Sequence, residues 1–173
     1  MKKQTLFIVF VSLLTMFSCT DDLICECNEI DMKASKIEQI GPLFEAIARN
    51  PDSYEVLMKN TEVVYSDYTE LLPLSDKAVS QRGIARGHSF GLLFYSICRN
   101  PNAFEELDVA ATKFLGVYDE NEISDELLNI SKIYSISGLN EGLARNPYAD
   151  SLCNILSKKY LDFEIEVITP RLN

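Results

Sequence analysis

The sequence has one histidine, His88, and no tryptophan among its 173 residues. It also lacks a nucleophile elbow, a His-Glu-x-x-His motif, a phosphate-binding loop and a dinucleotide-binding fingerprint. Zinc sites use several closely spaced cysteines and histidines, and Cys25-Glu26-Cys27 is the one such pair in this chain. We therefore expect a chain that is not an enzyme and that carries no cofactor and no metal.

Basic residues are also scarce, because 16 lysines and arginines are outnumbered by 26 aspartates and glutamates, for a net charge of −10. Proteins that bind nucleic acid neutralise phosphates with clustered Lys and Arg, so nucleic acid is not an expected partner. A basic protein partner would be attracted by this charge, whereas anionic lipid head groups would be repelled.

One long apolar stretch is present, the 13 residues from Thr5 to Phe17, and two lysines precede it. A helix that spans a membrane needs about 20 apolar residues. The shorter stretch, with its basic flank, is typical of an export signal that is removed. An ordinary secretory signal is one interpretation of this segment, and the residues that follow it support a second.

The apolar stretch ends at Met16-Phe17-Ser18-Cys19, which resembles the lipobox of bacterial lipoproteins and, in its looser form, that of Bacteroidota lipoproteins. The resemblance covers residues 1–22. It implies cleavage after Ser18, a palmitate-type lipid on Cys19 and a place in the cell envelope, anchored to the outer membrane. The acids of Thr20-Asp21-Asp22 are similar to a surface-export signal, but both the periplasmic and the outward-facing orientation stay open.

These features divide the chain into a signal peptide over residues 1–18, a lipidated tether over residues 19–31 and a helical domain over residues 32–173. Removing the signal takes away two lysines and no acid, which changes the net charge from −10 to −12. The remaining 155 of the 173 residues are enough for one domain that buries about 70% of its unfolded surface.

A three-residue motif, Arg-Asn-Pro, occurs three times at spacings of 50 and 46 residues: Arg49-Asn50-Pro51, Arg99-Asn100-Pro101 and Arg145-Asn146-Pro147. Each copy follows an apolar stretch, and an aromatic residue comes soon after it: Tyr54, Phe104 or Tyr148. Repetition at such a period is typical of stacked helical hairpins. We expect an all-α domain of about six helices, arranged as three Asn-Pro-cornered hairpins in a bundle or short solenoid.

The Arg-Asn-Pro motif has a structural explanation. A residue before proline is pushed out of the α region, asparagine is a favoured N-cap, and proline fits the first helical position. Each arginine then lies in the last turn of a helix, where a cation is favourable, and Glu55 and Glu105 could pair with the first two. Ser75-Asp76 and Ser124-Asp125-Glu126 are typical of the starts of long helices that run to Arg99 and Arg145.

Two groups on the predicted helices are candidates for more than core packing. Gly83, Gly87 and Gly91 are spaced four apart beside His88, which predicts close packing of another helix, a face for a ligand, or a break in the helix. Cys98 and Cys153 fall on apolar positions, which favours buried thiols or a bridge between repeats. The disulfide state of Cys25, Cys27, Cys98 and Cys153 stays open, because four cysteines allow three pairings.

The function expected from these features is non-catalytic binding of a protein, or a structural role, at the cell envelope. An immunity-like inhibitor of a basic toxin is an alternative that rests on acidity, size and location. An envelope hydrolase that uses carboxylates and His88 is an alternative of a different class, and a cleft that contains His88 with convergent carboxylates would favour it.

Overall fold

Six α-helices make up most of the domain, and the prediction of an all-α fold is confirmed. The computed structural model describes residues 33–65, 76–119 and 123–166, and no strand occurs in these ranges. These helices are α1 (Ile40–Arg49), α2 (Tyr54–Tyr65), α3 (Asp76–Arg99), α4 (Phe104–Leu115), α5 (Asp125–Arg145) and α6 (Asp150–Leu161), and residues 33–38 are also helical. Three short 3-10 turns, Pro51–Ser53, Pro101–Ala103 and Pro147–Ala149, join the members of each hairpin.

The three hairpins stack in chain order as two layers of helices. In the first layer α3 packs between α1 and α5, and in the second layer α4 packs against α2. Lys159 on α6 extends the second layer, because its Nζ lies 2.7 Å from both carboxylate oxygens of Asp108 on α4. Each hairpin therefore buries its inner face against its neighbour, which is the general requirement of a repeat architecture.

The long helices start and end where the sequence predicts. Ser124 caps α5, since its side chain accepts a hydrogen bond from the Leu127 amide, and Asp125 and Glu126 lie in the first turn, where the helix dipole favours acids. Ser75, the predicted cap of α3, lies outside the described residues, and α3 begins at Asp76. The last described segment, residues 162–166, is neither helix nor strand.

The core lies between the two layers. Apolar side chains of all three hairpins meet there, and those that are completely buried include Phe44, Ile47, Phe90, Leu93, Phe94, Ile97, Leu107 and Leu156. The ring of Tyr160 is also completely buried, 5.3 Å from the ring of Phe90. The Tyr160 hydroxyl donates to the Asp108 carbonyl at 2.8 Å, which satisfies the polar end of this side chain.

Small residues allow α3 and α5 to approach each other closely. A Cβ atom added to Gly83 would lie 2.8 Å from the Ile130 side chain, and one added to Gly87 would lie 2.7 Å from the Ser131 carbonyl. Gly91 faces Gly138, whose own added Cβ would collide with the Gly91 backbone. Close helix packing therefore explains Gly83 and Gly87, whereas a Cβ on Gly91 would meet the Ser135 carbonyl at an ordinary 3.4 Å.

We predict that Gly138→Ala lowers the free energy of unfolding by about 2 kcal/mol, although alanine is the better helix former by about 1 kcal/mol. The new methyl group would meet the backbone of Gly91, so the helices must separate, and overpacking a core usually costs about 1–3 kcal/mol. The measurement is urea unfolding of the purified chain. Ser137→Ala, on the exposed neighbouring position, is the control and should change stability by less than about 0.5 kcal/mol. A more stable Gly138→Ala variant would contradict the close approach.

Candidate functional site

The three Arg-Asn-Pro corners share one backbone conformation. Helices α1, α3 and α5 end at their arginines, and the asparagines that follow have φ of −147°, −140° and −142° with ψ of 81°, 83° and 85°. These angles are outside the α region, as expected for a residue before proline. Each asparagine N–H still bonds to the helix carbonyl four residues back, so the corner ends the helix without losing that hydrogen bond.

The asparagine side chains do not act as the N-caps that the sequence favours, because none of them caps the turn that follows. Instead, the Asn100 amide donates to the Ala48 carbonyl at 2.9 Å, and the Asn146 amide donates to the Cys98 carbonyl at 2.9 Å. Both acceptors lie in the last turn of the preceding hairpin's first helix. Carbonyls at that place have no partner within the helix, so the asparagines satisfy them.

The repeat spacing shows that these two bonds are equivalent. Ala48, Cys98 and Ala144 lie two residues before the three asparagines, so each bond joins the same positions of successive hairpins. No hairpin precedes Asn50 in the part of the chain that the structure describes, and its amide donates instead to the exposed Ser53 hydroxyl at 2.7 Å. The corner asparagine therefore fixes the register of each hairpin on the one before it.

The first and third corner arginines pair with acids on their own helices, not with an acid that follows the corner. Arg49 binds Glu45 at 3.0 Å and Arg145 binds Glu141 at 2.8 Å, four residues earlier on the same helix. Glu55, the predicted partner of Arg49, follows the corner and lies on the next helix. The guanidinium of Arg145 also lies 4.9 Å from the centre of the Tyr95 ring and donates to its hydroxyl. These are exposed pairs, which contribute little to stability.

A cleft of about 480 Å³ opens where the second and third corners meet. Its lining consists of Tyr95, Cys98, Arg99, Gly142, Arg145 and Asn146. Two of these six residues are cationic and none is a carboxylate or a histidine. The second corner's Arg99 and the third corner's Arg145 are thus brought to one site, whereas Arg49 belongs to the first corner and is not part of it.

His88 lies on the surface, away from this cleft. Its Nδ1 is 3.6 Å from a carboxylate oxygen of Glu38, and its ring lies edge-on to Tyr134 at 5.2 Å. Both members of the His88–Glu38 pair are about half exposed, with side-chain exposures of 46% and 57%. The convergent carboxylates that would favour a hydrolase are not among the residues that line the cleft, and we assign no catalytic role to His88.

Arg86 is a buried functional group that the repeat pattern does not predict. Its guanidinium donates to the carbonyls of Leu115 and Gly116 at the end of α4, and burial lowers the pKa of this arginine to about 10. The charge therefore stays on the side chain at neutral pH and stabilises a helix C-terminus. The apolar periodicity gives no signal for such a contact, because arginine is normally read as an exposed residue.

Several candidates from the sequence lie outside the described residues, namely Cys19, Cys25 and Cys27. In the ranges that the structure describes, no group of three or more His, Cys, Asp or Glu side chains is arranged to hold a metal ion. No described helix is both long enough and apolar enough to cross a membrane. Comparisons with protein-family models, with curated proteins and with solved structures find no match to this chain.

We predict that Asn100→Ala and Asn146→Ala each lower the free energy of unfolding by about 1–2 kcal/mol, because a partly buried carbonyl then loses its donor. Asn50→Ala is the matched control. It occupies the same corner but binds only an exposed hydroxyl, so its cost should stay below about 0.5 kcal/mol. Urea unfolding of the three variants measures the difference. Equal losses at all three corners would mean that the asparagines act locally rather than between hairpins.

Proposed function

We propose that this chain is a lipid-anchored protein of the bacterial cell envelope whose helical domain binds another protein without catalysis. The anchor rests on the sequence, where a short apolar signal ends at Ser18-Cys19. The expected location is the outer membrane, with the orientation of the domain left open. The described domain begins about fourteen residues after Cys19, so the intervening residues would act as a tether.

The observation that supports binding is the exposed edge of the third hairpin. Ile133 and Ile136 on α5 correspond, by the repeat spacing of 46 residues, to Gly87 and Phe90 on α3. Those two positions of α3 are buried beneath the third hairpin, whereas Ile133 is 69% exposed and Ile136 is 39% exposed. We call the exposed face that contains Ile133, Ile136 and Ala144 the open edge.

The chemistry of the open edge fits a protein partner. Two isoleucines supply apolar area, and polar residues surround them, as in the rim of an ordinary interface: Asn129, Ser137, Asn140 and Glu141. The charge of −12 on the processed chain adds attraction for a basic partner. A basic toxin would be one such partner, which would make the protein an immunity-like inhibitor.

The catalytic alternative has less support. The His88–Glu38 pair is exposed, and the general acid–base groups that line the cleft at the second and third corners are the Tyr95 hydroxyl and the Cys98 thiol, with no carboxylate or histidine among its lining residues. Binding through the open edge therefore explains more of the described surface than hydrolysis does.

Lipid attachment is tested by metabolic labelling. A labelled fatty acid should be incorporated into the wild-type chain and not into Cys19→Ser, because the proposed anchor forms on that sulfur. Cys25→Ser is the matched control in the same segment and should keep the label. Equal labelling of wild type and Cys19→Ser would remove the lipoprotein assignment without affecting the binding proposal.

Partner binding is tested by crosslinking in native membranes, followed by association kinetics with any protein that is recovered. Ile133→Asp should abolish capture, because it places a charge in the apolar part of the open edge. Val109→Asp, at a valine that is 53% exposed on α4, is the control and should bind normally.

The association rate should also fall as salt rises, because charges separated by more than about 8 Å are screened at physiological ionic strength. Capture that is unaffected by Ile133→Asp, or an acidic partner with a salt-independent rate, would contradict the proposal.

A further inference from the structure

Two buried thiols meet where the second and third hairpins pack together. Cys98 on α3 and Cys153 on α6 lie with their Sγ atoms 3.6 Å apart, and both are free thiols. Cys98 is 3% exposed and Cys153 is completely buried. The two sulfurs must approach each other by about 1.6 Å to reach the S–S bond length of about 2.0 Å.

Packing alone does not explain this pair. The repeat spacing places Ala48 and Ala144 at the position of Cys98, and Leu107 at the position of Cys153. The interface between the first and second hairpins thus brings an alanine and a leucine to the corresponding places, and both are buried. At the interface between the second and third hairpins, both positions are cysteine. Two reactive thiols therefore occupy places that apolar residues fill at the first interface.

Cys98 is one of the residues that line the cleft at the second and third corners. Gly142 lines the cleft beside Cys98, and a Cβ added to that glycine would lie 2.8 Å from the Cys98 Sγ. The thiol therefore packs directly against the backbone of Gly142, with no side chain between them. Arg99 and Arg145 flank the same opening, and their positive charge attracts anionic reagents.

We propose that Cys98 and Cys153 form a redox modification site, in which an anionic disulfide enters the cleft and is exchanged for a disulfide between the second and third hairpins. The Cys98 thiolate attacks one sulfur of the reagent, forms a mixed disulfide and releases one thiolate. Cys153 then gives up its proton and attacks the Cys98 sulfur, which releases the second thiolate. Two cysteine thiols are oxidised and one reagent disulfide is reduced to two thiols.

The surroundings assign the order of the two steps. The hydrogen bond between the two thiols lowers the pKa of the Cys98 thiol and raises that of Cys153, whose burial raises it further. Cys98 is also the member of the pair that lines the cleft. In the cell, this reaction rests on the proposed export, because disulfide oxidants are found outside the cytoplasm. The test below uses the purified chain and does not depend on export.

The test uses the full chain with Cys19, Cys25 and Cys27 changed to Ser, so that only the proposed pair can react. The reagent is 5,5′-dithiobis(2-nitrobenzoate), an anionic disulfide. Folded protein should release two thiolates per chain and lose two hydrogen atoms by mass spectrometry. Cys153→Ala should release one thiolate and stop at the mixed disulfide.

Cys98→Ala, which has alanine at the equivalent positions 48 and 144, should fold normally by circular dichroism. Its reaction should be at least about tenfold slower, because the remaining thiol is completely buried. If Cys153 reacts as fast in this variant as the pair does, or if the pair reacts only when urea unfolds the chain, the proposal is wrong.

The role of the arginines has its own control. Arg99→Gln should slow the reaction with the anionic reagent by about threefold and leave that with neutral 4,4′-dithiodipyridine unchanged. Arg49→Gln removes the same charge from the equivalent position outside the cleft and should change neither rate. Equal effects of the two substitutions would overturn the proposed entry of anions through the cleft.

The closed disulfide should also stabilise the domain, because it links residues 55 apart in the chain and so restricts the unfolded state. The oxidised chain should melt about 5–10 °C higher than the same chain after reduction. A lower melting temperature would show that the bond strains the interface, and would contradict a site built to close.

Discussion

The arrangement of the domain depends on one hydrogen bond that is made twice. A corner asparagine donates its side-chain amide to a carbonyl in the last turn of the preceding hairpin, from Asn100 to Ala48 and from Asn146 to Cys98. Proline makes this possible, because it ends the helix at the asparagine and leaves that side chain outside the helical path. Carbonyls at helix ends need partners, so the contact satisfies a local requirement and sets the register between hairpins at once.

Other contacts repeat in the same register. Gly41 faces Leu92 as Gly91 faces Gly138, so the two interfaces of the first layer use equivalent positions. In the second layer, Lys113 binds Glu62 and the equivalent Lys159 binds Asp108, which lies about one helical turn before the position equivalent to Glu62. The two interfaces differ in side-chain size. Gly41 meets a leucine at the first interface, whereas Gly91 meets a glycine at the second. The second interface is therefore the closer one, and it is the one that contains the cysteine pair and the cleft.

The sequence predicts the helices and their corners well, because proline and the apolar period act locally. It predicts the partners of polar side chains less well. Asparagine is a residue type that often caps helices. The Asn100 amide, however, donates to a carbonyl 52 residues away in the chain, and rules based on neighbouring residues do not predict a contact over that separation. Tyr148 follows its proline as an aromatic residue should, yet it is 77% exposed, because it comes two positions earlier than Tyr54 and Phe104 relative to the corner. The contact between Cys98 and Cys153 likewise depends on how hairpins stack, and sequence alone leaves it among several pairings.

Amide proton exchange of the asparagine side chains tests the central claim without changing any residue. In the folded chain, the Nδ2 protons of Asn100 and Asn146 should exchange with solvent much more slowly than those of Asn50, because the first two are held between hairpins and the third faces an exposed hydroxyl. Nuclear magnetic resonance resolves the three side chains individually. Fast exchange at all three corners would show that the asparagines do not join the hairpins, and would contradict this account of how the repeats are held together.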